Sequence, residues 1–131
     1  MGTLSSTVQL NSSDFLSDTL SINQSFDITG THSEGIARKK VTSIAKATGS
    51  GQVVLYTAST YTAGAVLYIK NTSTSASEYL HVYVDTATDD PDLLRLAGGQ
   101  VALLPLSGGS TLSAYATSTL IVEFGVFGTE A

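Results

Sequence analysis

From Gly51 onward, short runs rich in Val, Leu, Ile and Tyr alternate with Gly, Ser, Asn and Asp punctuation, the pattern of strands joined by tight turns. The runs predict strands at Val53–Thr57, Ala65–Asn71, Glu78–Asp85, Leu93–Leu96, Val101–Leu106, Thr111–Ala116 and Leu120–Phe127. Within Tyr79–Val84, Leu80, Val82 and Val84 share one face and Tyr79, His81 and Tyr83 the other. Side chains alternate across a sheet, so the aliphatic set is expected on the core and the Tyr/His set outward or against a second layer. In Leu120–Phe127 the apolar face is Leu120, Val122, Phe124 and Val126, and the opposite face holds Ile121, Glu123 and Phe127. Gly98-Gly99 and Gly108-Gly109 supply the conformations that tight hairpins need, and Pro105 suits an edge strand or a bulge.

The first fifty residues are less regular. Thr7–Leu10, Thr19–Asn23 and Ser25–Thr29 read as weak, polar strands or an extended arm. Ile36, Val41 and Ile44 would also suit a short amphipathic helix, but Val41-Thr42-Ser43-Ile44 has modest helix propensity and favours a strand. About ten short strands, with no helix of crossover length between them, imply an all-β fold, because two apolar sheet faces must cover each other. The expectation is an antiparallel β-sandwich or jelly-roll-like domain over residues 36–131, preceded by a polar N-terminal segment, 1–35, that forms an arm or edge strands.

Composition narrows the function. The chain has 131 residues, of which 42% are hydrophobic and only 13% charged, about half the ~25% charge of ordinary soluble domains. A surface rich in Ser and Thr is easily desolvated and suits a protein packed against neighbours, although an ordinary Thr-rich β-domain reads the same way. The net charge of −5 lacks the basic field that nucleic-acid binding requires. Cysteine is absent, which removes disulfides and thiolate metal sites. Met1–Ser6 lacks a basic patch followed by an apolar run, and no apolar stretch approaches the ~20 residues of a membrane span. A soluble protein made in the cytoplasm is expected.

Candidate chemistry is sparse. The two histidines are His32, in a polar turn, and His81, among tyrosines. No nucleophile-elbow pattern accompanies them, so neither a catalytic residue nor an enzymatic activity, small-molecule substrate or cofactor is expected. The loop Asp85–Asp92 gathers carboxylates that could contribute to a cation site, but it fits no EF-hand spacing and reads equally as a solvated turn, so no metal is assigned. Arg38-Lys39-Lys40 holds half of the six basic residues and could pair with acidic loops of a neighbouring copy, or simply face solvent. Tyr68, Tyr79, Tyr83 and Tyr115 lie on predicted strands, and tyrosine gives large contact area at low entropic cost. With His81 and the three basic residues they form the candidate interface set; the rings could instead complete the core edge. Asn11, Asn23 and Asn71 open glycosylation-type triplets that Ser/Thr abundance produces by chance.

Val66-Leu67-Tyr68-Ile69-Lys70-Asn71-Thr72-Ser73, then Leu93–Gln100, Val101–Leu106 and Leu112–Ala116, together resemble a group of small tailed-bacteriophage virion proteins. In that group a Tyr-Ile-Lys-Asn strand precedes a Leu-Gly-Gly hairpin and a small-residue strand. The resemblance spans a little over half of the chain, from Val53 to Phe127, and its motifs are mostly hairpin grammar. It implies a β-sandwich subunit of a phage particle, a capsid cement (decoration) protein, with the major capsid protein and further copies of itself as partners and a trimer favoured. It implies no catalytic residues and does not separate head from tail. A carbohydrate-recognising tail or spike module, stacking sugars on Tyr68, Tyr79 or Tyr83, is the alternative from another class.

Overall fold

The computed structural model describes residues 2–14, 17–30, 32–42, 45–46, 53–57, 65–84, 91–106 and 111–128. Among these the protein is all-β, with ten strands, no helix, and antiparallel pairing throughout. The strands are β1 (Gly2–Ser12), β2 (Leu20–Gly30), β3 (His32–Val41), β4 (Val53–Tyr56), β5 (Ala65–Asn71), β6 (Leu80–Val84), β7 (Leu94–Leu96), β8 (Val101–Leu106), β9 (Leu112–Ala116) and β10 (Leu120–Gly128). The ambiguous segment after Ile36 is strand as far as Val41. The expected weak strands of the N-terminus are two long ones, paired residue for residue from Gly2↔Gly30 to Ser12↔Leu20.

The other eight strands form two four-stranded sheets, ordered β3-β10-β5-β8 and β4-β9-β6-β7. Their pairings are nested: β3 with β10, β4 with β9, β5 with β8, and β6 with β7. The contacts β10–β5 and β9–β6 then close each sheet. β8, which carries Pro105, is an edge strand, where a missing N–H costs no ladder bond.

Alternation decides what lies between the sheets. Leu67 and Ile69 of β5, Val122, Phe124 and Val126 of β10, Leu80 and Val82 of β6, and Leu112, Ala114 and Ala116 of β9 belong to one buried cluster. The inner faces of the two sheets therefore share a core. Full burial of a side chain such as Leu67 or Ile69 contributes about 2 kcal/mol.

Among the described residues two buried ones are polar, Asn71 and Ser113. Asn71, fully buried at the end of β5, donates through Nδ2 to the carbonyls of Glu78 and Leu96, at 2.9 Å each, and accepts from the Ser73 N–H at 3.1 Å. It fastens the β5–β6 connection to β7, which explains how an amide is tolerated in the interior. Beside it, Gly99 takes a positive φ of 85°, and a Cβ on Gly98 would lie 2.2 Å from the Ser75 carbonyl oxygen. The Gly-Gly pair is thus required by both turn geometry and close backbone approach. Gly108-Gly109 lies outside the described residues.

Candidate functional site

Three faces of the molecule are not part of the shared core. The first belongs to the β1–β2 hairpin. Its register places Leu4, Ser6, Val8, Leu10 and Ser12 opposite Ile28, Phe26, Gln24, Ile22 and Leu20. One face of the hairpin therefore carries every large apolar side chain of both strands and no charge. The other carries Thr, Ser, Asn, Gln and Asp27, tied by Ser5 Oγ donating to Asp27 Oδ1 at 3.1 Å and by a Thr7–Ser25 hydroxyl pair at 3.1 Å. At the hairpin's base Ile28 is buried and β2 packs against β10. Farther along, the same apolar face is open: Val8 is 42% exposed, Leu10 51% and Phe26 37%.

The second face is the outer side of the β3-β10-β5-β8 sheet. The register sets Arg38, Glu123, Lys70 and Val101 in one row, and Ile36, Gly125, Tyr68 and Leu103 in the next. Arg38 donates through Nε and Nη2 to Glu123 Oε2 at 3.2 and 3.1 Å, and Tyr68 donates its hydroxyl to Oε1 at 3.0 Å. Those hydrogen bonds, from Tyr68 first and then Arg38, hold the Glu123 carboxyl below its ordinary range. Burial, reinforced by the neighbouring carboxylate, pushes the Tyr68 phenol up. A shallow cavity of about 350 Å³ separates this row from the hairpin base, lined by Leu4, Ile36, Tyr68, Leu103, Glu123 and Phe127. On the same strands Ile36, Val101 and Ile121 are exposed.

The third face is the outer side of the β4-β9-β6-β7 sheet, where Tyr79, His81, Tyr83 and Tyr115 come together. Asp92 is its hub. Asp92 Oδ2 lies 2.9 Å from His81 Nδ1 and accepts the Tyr115 hydroxyl at 2.7 Å, while Oδ1 lies 3.1 Å from Lys46 Nζ. The His81 and Tyr115 rings stack at 4.6 Å, and the Arg95 guanidinium lies 4.4 Å from the Tyr79 centroid. Burial alone would raise the Asp92 carboxyl, but hydrogen bonds from Tyr115 and Lys46 and the charges of Lys46 and His81 outweigh it and hold the group low. Tyr115 is pushed up to about 12 by burial and by its bond to Asp92.

The candidate interface residues thus divide. Tyr68 and Arg38 meet through Glu123. Tyr79, His81 and Tyr115 share the Asp92 face. Tyr83 lies in the same sheet but is 1% exposed, with Lys46 Nζ 6.0 Å from its ring centroid, so it is enclosed rather than presented to a partner. Lys39 donates to the Val54 carbonyl at 3.0 Å and lies 5.6 Å from the Phe124 centroid; it bridges the edges of the two sheets. Lys40, exposed on β3, borders a second hollow of about 380 Å³ with Thr72, Glu78 and Ile121. His32 belongs to the backbone of β3, not to a turn, and its side chain lies outside the described residues. So do residues 85–90 of the acidic loop. Among the described residues no group of three or more His, Cys, Asp or Glu side chains is arranged to hold a metal ion.

Sequence reasoning missed two participants. Glu123 stood out only as a polar residue on a partly apolar face, and Asp92 as one acid in a run. The apolar side of the hairpin was legible in the Leu4, Val8, Leu10 and Ile22, Phe26, Ile28 spacings but was masked by the Ser and Thr between them. No family model, curated protein or solved structure matches this chain.

Proposed function

We propose that this chain is a non-enzymatic structural protein of a bacteriophage particle, a capsid cement protein that binds neighbouring major capsid subunits and stabilises the shell. The observation that carries the reading is the uncharged apolar face of the hairpin, open to solvent on a chain with few charges elsewhere. Contiguous exposed apolar surface on a soluble protein marks an interaction site. The resemblance of the Val53–Phe127 segment to small virion proteins supplies the particle.

The body supports the same reading by analogy of fold. Nested pairing of β3–β6 with β10–β7 is what results when a long antiparallel ribbon is rolled up, and we read the body as a jelly-roll β-sandwich on that ground. Jelly rolls recur in viral capsid and lectin domains, although a fold alone does not define a function. The lectin-like alternative has less to work with. Tyr83 is enclosed, one side of Tyr79 is occupied by Arg95, and the Tyr68 hydroxyl is held by Glu123, which leaves few free ring faces for a sugar.

The test is co-sedimentation of the purified chain with shells assembled from the major capsid protein, followed by thermal challenge. Saturable binding and a raised disruption temperature are expected. Shells that neither bind the chain nor gain stability would overturn the proposal, and glycan binding lost on Tyr79→Ala would favour the carbohydrate reading.

A further inference from the structure

The hairpin raises a narrower question: what covers its apolar side. A two-stranded ribbon is marginal in water and gains stability only when its apolar face is covered. Among the described residues its own chain buries Ile28 at the base, where β2 contacts β10, and leaves Val8, Leu10 and Phe26 exposed. We propose that the remainder is covered by the same face of the hairpin of a second copy of this chain, so that two hairpins form a small two-layer β-sandwich between protomers. This inference rests on the assembly reading above, but not on the identity of the shell.

Three observations select that occupant. The hairpin face bears no charged side chain: between Leu4 and Ile28 its polar members are Ser6, Ser12 and Gln24. The uncovered row of the chain's own outer sheet face is instead charged, with Arg38, Glu123 and Lys70 side by side, and docking an apolar strip there would desolvate all three, the Arg38–Glu123 ion pair included, with nothing on the strip to replace the lost hydration. A second hairpin has matching length and apolar character by construction, and a twofold axis makes one patch complementary to itself. Area sets the strength. Eleven-residue strands, at about 3.3 Å per residue, give a strip roughly 35 Å long and about 10 Å wide. Two such strips present about 700 Å² together, below the roughly 1,000 Å² of a stable specific interface and in the range of weak, transient contacts. The contact is therefore a reversible, concentration-dependent one, suited to copies held close together on a larger assembly.

Sedimentation equilibrium of the 131-residue chain over a dilution series, without shells, tests this. The wild-type chain is expected to pass from monomer to dimer with rising concentration. Val8→Thr with Leu10→Thr, which keeps strand propensity while removing apolar surface, is expected to raise the dissociation constant at least about tenfold. Val101→Thr on the outer sheet face is expected to leave it unchanged. Should the hairpin variant lose its β signal in circular dichroism, Gln9→Ala on the polar side and Phe26→Thr on the apolar side replace it, the first predicted silent and the second disruptive. A wild-type chain that stays monomeric would overturn the inference, as would a dimer indifferent to the apolar-side changes or one broken by Val101→Thr. Shell binding measured in parallel separates the two claims: a monomeric chain that still binds shells removes this inference and leaves the shell reading standing.

Discussion

β5 and the β1–β2 hairpin follow the same two-residue rule and end in opposite environments. Along β5, Ala65, Leu67 and Ile69 point to one side and are buried by the facing sheet. Along β1, Leu4, Val8 and Leu10 point to one side and remain substantially exposed. Alternation therefore announces that a face is to be covered, but not by what. For β5 the covering layer comes from the same chain. For the hairpin the described residues supply a foothold at Ile28, and the proposed second copy supplies the rest of the layer.

The comparison has energetic consequences, the largest of which lie in the body. Leu67→Ala removes a fully buried side chain and is expected to cost about 2–5 kcal/mol in urea unfolding. Leu10→Ala, changed on an exposed strand of a monomer, is expected to shift stability by no more than about 0.5 kcal/mol. Equal losses at the two positions, measured at a concentration where the chain is monomeric, would break the distinction.

Asn71 gives the next effect. Asn71→Ala removes three hydrogen bonds and strands the Glu78 and Leu96 carbonyls, for an expected loss of about 2–3 kcal/mol. Thr7→Ala on the hairpin, whose hydroxyl pairs with Ser25 in full contact with solvent, should be nearly silent in the same thermal melts.

The Asp92 face contributes to the pH response at both ends. Asp92 is held below its ordinary value of 3.8, so its contribution to stability is present above that value and is lost as pH falls through the lowered one. Tyr115, raised from 10.0 to about 12, contributes stability that is complete below 10 and is lost as pH rises through about 12. Unfolding free energy measured against pH should decline at both ends. Asp92→Asn should flatten the acid limb and Tyr115→Phe the alkaline one; unchanged limbs would show that the cluster does not couple to folding. The smallest effect is expected at the Arg38–Glu123 pair. Arg38 is 69% exposed, and Arg38→Ala should cost less than about 1 kcal/mol.

Much of the body was legible because burial on one face imposes strict alternation. The boundaries read for β5 and β8, Ala65–Asn71 and Val101–Leu106, coincide with the observed strands. The hairpin reads in the sequence only as weak, polar strands or an extended arm, because Ser and Thr on its solvent face dilute the apolar signal and its length spreads it. Strand order could not be read at all: the nesting of β3 with β10 joins residues some eighty positions apart, and no local pattern encodes that. The tyrosine faces were half legible. Alternation put Tyr79, His81 and Tyr83 on one side of a strand, but only tertiary packing places Lys46 over Tyr83 and Asp92 between His81 and Tyr115. A ring on an outer face is not a ring in solvent.

The most direct test of the account is amide hydrogen exchange on the hairpin. In a dilute, monomeric sample the β1 and β2 amides beyond the Ile28 foothold should exchange far faster than those of β5 and β10. At high concentration, or on assembled shells, they should become protected while the β5 and β10 amides do not change. Hairpin amides as protected in the dilute monomer as those of β5 would contradict the account, because the apolar face would then need no partner.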